Sequence, residues 1–336
     1  MENYKSIELS KSIYKCGKSL NDYLEEKDPS KAYEGTSLES LDPFQRQLKR
    51  FDIRVSGKGS DRIEKFFSEA QSATLFPEYV KRAVSGGINE GSFLSDIVAT
   101  TTKVNSLDYR TIETSSTDDD KELKVVMEGG AIPETQIKLK ESLVKLIKRG
   151  RMLVASYEAI RFQRLDLFTV ALKEIGAHIA SSQLKDAVDV LLNGSKGEEK
   201  AKEIKCAKPG SLAYEDLISL WSEFEDYEMN TLLVAPDMMA KILTMPEFKA
   251  QNVMTSFKES GKLQTAFGAN IIRSKSVPAG KIIALDKRFA LEKVVADDIS
   301  IDYDKLIDCQ LERASVTSTV GFSRIIKDAV KVLSLN

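Results

Sequence analysis

The most regular hydrophobic pattern in the chain lies between residues 156 and 192, where apolar positions recur at helical spacing. Along one face, at steps of four, three and four residues, come Phe168, Leu172, Ile175 and Ile179. Such spacing places side chains on a single face of an α-helix, so we predict a helix over 156–192, roughly 50 Å long at about 1.5 Å per residue. The pair Asn193-Gly194 that follows is typical of a helix end.

Between residues 107 and 154 the pattern changes to that of extended chain. We predict strands at 109–113, at 123–127 and from Ile137 onward, where apolar and lysine positions alternate. A run of serine, threonine and aspartate over 115–120 separates the first two strands. Because these runs carry too few apolar residues for a core, the pattern predicts a projecting β-loop that needs another surface to lie against.

The rest of the chain divides at its turn and breaker residues. Residues 1–65 are polar and interrupted by proline and glycine, which indicates an arm of short elements. Near its end, Asp61 and Glu64 form a capping-box pattern that predicts a helix. Pro209-Gly210 marks the clearest domain boundary. Beyond it the patterns predict helices over 214–224 and 236–243, and strands at 232–234, 271–272, 282–284, 311–320 and 329–335.

Composition excludes several classes of protein. The 336 residues include 49 basic and 51 acidic side chains, so the chain as a whole does not attract nucleic acid or anionic lipid. One histidine cannot build a multi-histidine metal site or most hydrolase triads. Three scattered cysteines indicate neither zinc nor disulfides and fit a reduced, cytosolic protein. No apolar stretch approaches the roughly 18 residues of a membrane span, and no signal-peptide core follows the N-terminus.

Three local patterns are similar to functional sites without meeting their requirements. The turn Gly57-Lys58-Gly59-Ser60 lacks the spacing of a phosphate-binding loop and is better explained as a capped turn. The acidic run over 297–308 lacks the glycine and the terminal glutamate of a calcium loop. His178 lies in the long helical segment without a partner nucleophile, which favours a structural role. We therefore predict no catalytic residue, no metal site and no cofactor.

Charge is segregated along the chain although its total is near zero. Residues 136–164 hold eight basic and two acidic side chains, and residues 297–312 hold six acidic and one basic. Opposite charges on a projecting loop and a distant segment fit subunits that bind one another; solvated faces, pairing within one chain, or contact of the basic segment with nucleic acid are the alternatives. The predicted subunit-interface residues are Lys138, Lys140, Lys145, Lys148, Arg149, Arg151, Asp297, Asp298, Asp302 and Asp304.

Five stretches of sequence follow one another in an order that is found in one protein family. The first, Glu-Gly-Gly-Ala-Ile-Pro-Glu at 128–134, precedes an extended run that leads into the predicted long helix. The others are Asn193-Gly194, Leu-Val-Ala-Pro-Asp at 233–237, Phe-Gly-Ala-Asn-Ile-Ile at 267–272, and the β-rich segment after Leu311. This order resembles that of the tailed-phage major capsid proteins, and the resemblance covers roughly residues 60–335.

The resemblance implies an α+β fold, the tailed-phage major capsid protein fold. Its parts are an N-terminal arm, an extended β-loop, a peripheral domain with a long spine helix and a β-sheet, and an axial domain. Mapped onto this chain they are the arm at 1–65, the first part of the peripheral domain at 66–103, the extended β-loop at 104–153, the spine helix and linker at 154–208, the axial domain at 209–305, and the closing peripheral strands at 306–336.

The same resemblance implies a major capsid protein without enzyme activity. Hexamers and pentamers of the chain would form an icosahedral shell around packaged double-stranded DNA, contacted non-specifically, after assembly in the cytoplasm of a host bacterium. The implied partners are further copies of the chain, a separate scaffolding protein, a portal and a decoration protein, with no membrane. Two alternatives stay open: an encapsulin-like compartment shell, and a soluble two-domain enzyme that uses carboxylates such as Asp302 and Asp304.

Overall fold

The computed structural model of the protein describes residues 7–10, 13, 19–114, 125–128, 137–156, 158, 162–195, 197–249, 263–264, 268–306 and 311–335. The chain forms two compact units, each built from three separate segments. Unit 1 comprises Met1–Gly91, Arg149–Ala180 and Ile299–Ser318. Unit 2 comprises Ser92–Lys148, Ser181–Asp298 and Thr319–Asn336.

The α-helices of the described residues vary widely in length, and the longest spans 29 residues. They are α1 (Leu20–Lys27), α2 (Pro43–Arg50), α3 (Ala70–Ala73), α4 (Phe76–Gly91), α5 (Leu165–Asn193), α6 (Tyr214–Ser222) and α7 (Pro236–Thr244). Short 3-10 helices lie at Ser30–Tyr33, Ile63–Phe67, Leu94–Asp96 and Pro246–Lys249. We refer to α5 as the spine helix.

The strands of the described residues form three sheets. They are β1 (Thr100–Lys103), β2 (Ile112–Thr114), β3 (Ile137–Leu139), β4 (Ile147–Ser156), β5 (Lys202–Lys205), β6 (Thr231–Val234), β7 (Leu263–Gln264), β8 (Asn270–Arg273), β9 (Lys281–Leu285), β10 (Leu291–Leu306), β11 (Leu311–Arg324) and β12 (Val330–Ser334). One sheet has the order β1-β10-β11-β4, a second has the order β5-β12-β9-β6-β8-β7, and β2 pairs with β3 as a separate ribbon.

The N-terminal elements of unit 1 are organised around a fully buried arginine. Asp42 and Gln45 form a capping box at the start of α2, and this helix carries Arg46 into the interior. The Arg46 guanidinium donates to the carbonyl oxygens of Asp28 and Leu41, each at 2.9 Å, and its Nε lies 3.6 Å from a carboxylate oxygen of Asp28. Because a buried charge is stabilised only by such partners, Arg46 ties the turn after α1 to the start of α2.

The predicted arm therefore contributes to the core of unit 1. Apolar side chains of α1 and α2 join those of α4 and the first half of the spine helix in one buried cluster, which includes Leu24, Phe44, Val80 and Leu172. The helices α4 and α5 touch through glycines, because a Cβ on Gly87 would lie 2.1 Å from the carbonyl oxygen of Lys173. Residues 19–53 are thus packed elements rather than a bare extension.

Unit 2 is built on the six-stranded sheet. Strand β6 is buried at all four positions and pairs with β8 in parallel and with β9 in antiparallel orientation. A continuous run of apolar residues is typical of a strand that is covered on both faces. Leu217 and Leu220 of α6 and Met238 and Ile242 of α7 pack in the same core.

Most sequence-predicted elements of unit 2 are confirmed. Helices α6 and α7 and strands β6, β8, β9 and β12 lie at the predicted positions, and Pro236 occupies the first turn of α7. Strand β11 starts at the predicted Leu311 and continues to Arg324.

Three local predictions are wrong in the described residues. The spine helix begins at Leu165 rather than at 156, because β4 runs through Ser156. Asp61 caps no helix: its carboxylate accepts the Arg54 amide at 2.7 Å, and a 3-10 helix follows. Residues 125–127 are not a strand, and β2 pairs with β3 instead. The acidic tip at 115–120 and most of the 128–134 motif lie outside the described residues.

Candidate subunit-contact surfaces

The ribbon formed by β2 and β3 exposes a pair of apolar side chains. Ile112 lies directly opposite Leu139 in the antiparallel register. Opposed residues of an antiparallel pair share a face, so these two side chains lie on the same face of the ribbon. The side chains of Ile112 and Leu139 are 47% and 64% exposed. A two-stranded ribbon is marginal alone, so this face is a candidate contact surface.

A buried carboxylate fixes the first strand of this ribbon at its root. Glu292, on β10, accepts hydrogen bonds from the hydroxyls of Thr102 at 2.5 Å, Tyr109 at 2.7 Å and Thr111 at 2.5 Å. Burial and the adjacent Glu292 carboxylate raise the pKa of Tyr109, which keeps its hydroxyl a donor. Hydrogen bonds to a charged acceptor are among the stronger ones in proteins, so Glu292 holds the residues before β2 against β10.

A second polar cluster fixes the other side of the root, after β3. The Lys140 ammonium forms an ion pair with Glu198 and donates to the carbonyl oxygen of Arg324 at 2.6 Å. Arg324 is 2% exposed and donates to the carbonyl oxygen of Glu199. Burial lowers the pKa of Arg324, opposed by the nearby Glu198 carboxylate. The cluster joins the loop root to the linker after the spine helix and to the end of β11.

The predicted basic interface residues are divided by this arrangement. Lys140 is used inside the subunit, which agrees with the alternative that charges pair within one chain. The side chains of Lys138, Lys145, Lys148 and Arg151 are exposed, and that of Arg149 is half-buried. The exposed members can reach another molecule.

The predicted acidic residues lie on one long strand rather than in a loop. Asp297, Asp298, Asp302 and Asp304 all belong to β10, where Asp298 and Asp302 are exposed. Asp304 pairs with Arg313 of β11 at 2.8 Å. An extended strand does not converge its carboxylates on one point, which agrees with the rejection of a calcium loop.

The glycine turn at 57–60, His178 and Cys206 show no feature of a catalytic or binding site. The Arg164 guanidinium donates to the carbonyl oxygens of Gly57 and Lys58 at 3.3 and 3.2 Å, whereas a phosphate site would present amide groups. His178 is exposed on the spine helix, 3.8 Å from Glu174. Burial and the neighbouring Asp216 raise the pKa of the Cys206 thiol to about 11, which leaves it unreactive at neutral pH.

Metal-binding clusters and membrane-spanning helices are absent from the described residues. No group of three histidine, cysteine, aspartate or glutamate side chains is placed there to hold a metal ion. Among the helices of the described ranges, none has the length and apolarity needed to cross a bilayer.

The residues that fix the loop root were not predicted from the sequence. Glu292, Glu198 and Arg324 are single charged residues whose partners lie far away along the chain. The sequence gives no separate signal at Glu292, because Lys293 follows it directly and a Glu-Lys pair is also what an exposed strand position would carry.

Comparison with solved structures defines the class of protein. The chain is similar to a virus-like particle protein from Pyrococcus furiosus, with a TM-score of 0.52 and 16% identity over 77% of this chain and 99% of that one. It is also similar to the capsid of a native GTA particle, with a TM-score of 0.52, 13% identity and coverage of 75% and 90%. A solved structure described as Microbacterium phage Oxtober96 is similar with a TM-score of 0.52 and 8% identity, over 73% of this chain and 91% of that one. The α+β fold is therefore that of capsid shells.

The family follows from the sequence profile. The profile of a family described as phage capsid protein matches residues 140–308, half of the chain. No curated protein sequence matches the chain significantly. The chain belongs to the phage capsid protein family, so it is a structural protein of a capsid shell built from many copies, as the sequence resemblance predicted.

Proposed function

We propose that the chain is the major capsid protein of a tailed bacteriophage, and that its hexamers and pentamers form an icosahedral shell around packaged double-stranded DNA. The family match over 140–308 carries this proposal, because it spans β4, the spine helix and the whole of β10. A ribbon with an exposed apolar face and a firmly held root fits an arm that contacts a neighbouring subunit.

Exposed charges of the loop and of β10 supply one pair of contacts in this proposal. Arg151, with the half-buried Arg149 beside it, would face Asp298 and Asp302 of a neighbouring copy. The exposed Lys138, Lys145 and Lys148 form the rest of the proposed basic surface. Single exposed ion pairs contribute about 0–1 kcal/mol, but the contact repeats at every equivalent interface of a shell. Asp297 and the Asp304–Arg313 pair belong to the proposed acidic surface of β10.

The contact can be tested by charge reversal. Arg151→Glu alone should impair assembly, and adding Asp302→Arg should restore it in part, because the pair is inverted rather than lost. Raised salt should weaken the wild-type contact, since exposed charges are screened beyond about 8 Å at physiological ionic strength. Assembly that is unaffected by reversal and by salt would exclude these residues from the interface.

The remaining partners follow from the same proposal. Assembly would take place in the cytoplasm of a host bacterium with a separate scaffolding protein and a portal, and a decoration protein would bind the finished shell. The shell would contact DNA non-specifically, because the basic residues 138–151 contain no aromatic side chain for stacking on bases. The chain would act as a building block and not as an enzyme.

A compartment shell is the second candidate, favoured by the similarity to the virus-like particle from Pyrococcus furiosus. The two functions differ in what the shell encloses. Particles from the native source should contain double-stranded DNA if the proposal is right, and a protein cargo without a genome would support the compartment instead.

Sedimentation tests assembly itself. Purified chain should sediment as capsomers or shells of many subunits. Only monomers of 37.4 kDa, across a range of salt and protein concentration, would contradict a capsid function.

A further inference from the structure

Helix α6 exposes large apolar side chains on its outer flank. Its inner face is buried through Leu217 and Leu220, but Ile218 and Trp221 remain 43% and 48% exposed. Residues three apart on a helix are neighbours, so these two side chains form one patch. Tyr214, one turn earlier, is half-buried against Phe248, with ring centroids 6.0 Å apart.

Acidic residues outnumber basic ones beside this patch, where the exposed Lys202 pairs with Glu223 and lies close enough to Glu225 to interact with it electrostatically. No lysine or arginine occurs between residues 214 and 230, and the exposed side chains there include Glu215, Glu225 and Asp226. The neighbouring Glu223 and Glu228 are already paired within the subunit, with Lys202 at 2.5 Å and Arg288 at 2.9 Å. We call Glu215, Ile218, Trp221 and Glu225 the Trp221 surface. An exposed tryptophan is the type of side chain that is enriched at the centre of protein interfaces, and polar or charged residues form the rim around such centres.

The same unit carries a segment of complementary chemistry. Over residues 138–148, which we call the loop-root segment, Leu139 is 64% and Leu143 46% exposed. The exposed charges around them are those of Lys138, Lys145 and Lys148 against Glu141 alone. Lys140 is paired with Glu198 inside the subunit, so its charge does not count toward the exposed rim. The segment is therefore apolar with a positive rim.

We infer that the Trp221 surface binds the loop-root segment of a second copy of the chain. This inference rests on the proposed function, since it names one contact through which the shell assembles. Charge complementarity favours this partner, because the lysines of the loop-root segment would lie opposite Glu215 and Glu225. Leu139 and Leu143 of the same segment would then pack against Trp221. Because two different surfaces of one subunit meet, the contact is head-to-tail and generates a ring when its rotation closes.

The tryptophan itself reports on the contact. Trp221 is the single tryptophan of the chain, so the fluorescence excited near the tryptophan band comes from this surface alone. On assembly of the purified full-length chain, its emission should shift to shorter wavelength, and acrylamide quenching should fall by at least about twofold, as burial of an interface aromatic requires.

The outcomes separate the inference from the proposed function. Chain that never assembles would contradict the proposed function. Shells or capsomers in which Trp221 stays as quenchable as in the free subunit would overturn the inference and leave the proposed function intact. Only the purified chain is present, so protection of Trp221 upon assembly identifies another copy as the occupant.

Substitution measures the contribution of the anchor. Trp221→Ala should raise the concentration needed for assembly at least about tenfold, the effect expected of a central aromatic in an interface, while the subunit keeps its unfolding midpoint. Phe93→Ala is the matched control, since Phe93 is an aromatic residue of the same unit that is 45% exposed. Unchanged assembly of Trp221→Ala, or an equal loss in both variants, would overturn the inference.

Charge exchange tests the partner segment. Glu225→Lys and Lys145→Glu should each weaken assembly, and the double variant should recover most of the loss, because the two reversed charges again attract. The control combines Lys145→Glu with Glu34→Lys, an exposed residue of unit 1, and should show no recovery. Strictly additive losses for Glu225 and Lys145 would exclude the loop-root segment as the partner.

Discussion

Buried charged side chains connect segments that are distant in sequence. Glu292 holds the residues before β2, Arg46 joins the N-terminal elements, and Asp286 organises the turn after β9. Asp286 is fully buried and accepts from the Arg288 guanidinium at 2.8 Å, from the Glu228 amide at 3.0 Å and from the Asn230 side chain at 2.8 Å. A buried charge is tolerated only when several partners compensate it. Removing a partner therefore destabilises the fold more than the intact ion pair stabilises it, because an uncompensated charge is left buried.

The pKa of Asp286 predicts a dependence of stability on pH. Burial alone would raise it, but hydrogen bonds from Arg288, from two amides and from Asn230 lower it to about 2. A depressed carboxyl pKa stabilises the folded state above the unfolded value of about 3.9, and this contribution is lost as the pH falls toward about 2. Asp286→Asn should therefore lower the unfolding midpoint at pH 5 to 7.

The same variant should differ progressively less from wild type as the pH falls from about 4 toward about 2, because the carboxyl of the unfolded chain is protonated first and that of the folded chain only near pH 2. Thermal unfolding followed by circular dichroism at several pH values measures this. The control is Asp302→Asn, an exposed carboxylate on β10 that should have little effect. A gap between Asp286→Asn and wild type that is constant with pH would contradict the proposed source of the stabilisation.

Substitution of Glu292 tests the root of the loop. In Glu292→Gln one oxygen becomes an NH2 group, which cannot accept the hydroxyl protons of Thr102, Tyr109 or Thr111. Amide hydrogen exchange should become faster around 109–112 and 137–140, while α6 and α7 keep their protection. Glu141→Gln, at an exposed position near the root, serves as the control. Unchanged exchange in Glu292→Gln would show that other contacts hold the root.

At the scale of elements, the spine helix depends on a close crossing with α4. A Cβ on Gly176 would lie 2.2 Å from the carbonyl oxygen of Val84, and one on Gly87 would lie 2.1 Å from that of Lys173. Backbone atoms cannot move aside as a flexible side chain can, so the two helices approach closely only because both positions lack a side chain.

The close crossing of α4 and the spine helix can be tested by substituting Gly87, with the adjacent Gly86 as the control. Gly87→Ala should destabilise unit 1 by about 1–3 kcal/mol, as overpacking at a tight contact does. Gly86→Ala should be neutral or stabilise by up to about 1 kcal/mol, because its nearest neighbour is the end of the Lys173 side chain at 3.7 Å and alanine favours a helix. Equal unfolding midpoints for the two variants would contradict the conclusion that the helices pack closely because residue 87 has no side chain.

Deleting the tip of the loop tests whether it is an intersubunit arm. Removal of residues 115–124, which lie outside the described part of the chain, should leave the subunit folded because the root is held by Glu292 and Lys140. Assembled shells should become less stable to heat or denaturant, since an arm acts on its neighbour. Loss of subunit folding would instead mark the loop as part of a core.

The elements that were predicted from sequence are those with a local signal. Helix α6 was predicted from its helical periodicity, and strand β6 from its continuous run of apolar residues. Both lie at the predicted positions. The pairing of β2 with β3 could not be predicted, because register depends on contacts across more than twenty residues of sequence. Glu292 and Arg324 were missed for the same reason: their roles exist only once distant segments meet.

At the scale of the whole molecule, the chain combines two well-packed units with surfaces that the subunit leaves uncovered. The buried clusters around Leu172 and Leu233 account for the stability of each unit. Leu139 and Trp221, by contrast, are exposed. Leu139 has mainly basic exposed neighbours, whereas Trp221 has mainly acidic ones. A protein whose function is its own assembly needs both properties, and the near-neutral total charge agrees with attraction between copies rather than with a general affinity for nucleic acid.

Electron micrographs of the purified chain test this account most directly. Negative-stain images should show closed icosahedral shells, or ring-shaped capsomers of six and five subunits, from the chain alone or after addition of its scaffolding protein. Images that show only isolated subunits under all these conditions, from a chain that is demonstrably folded, would contradict the conclusion that it builds a capsid.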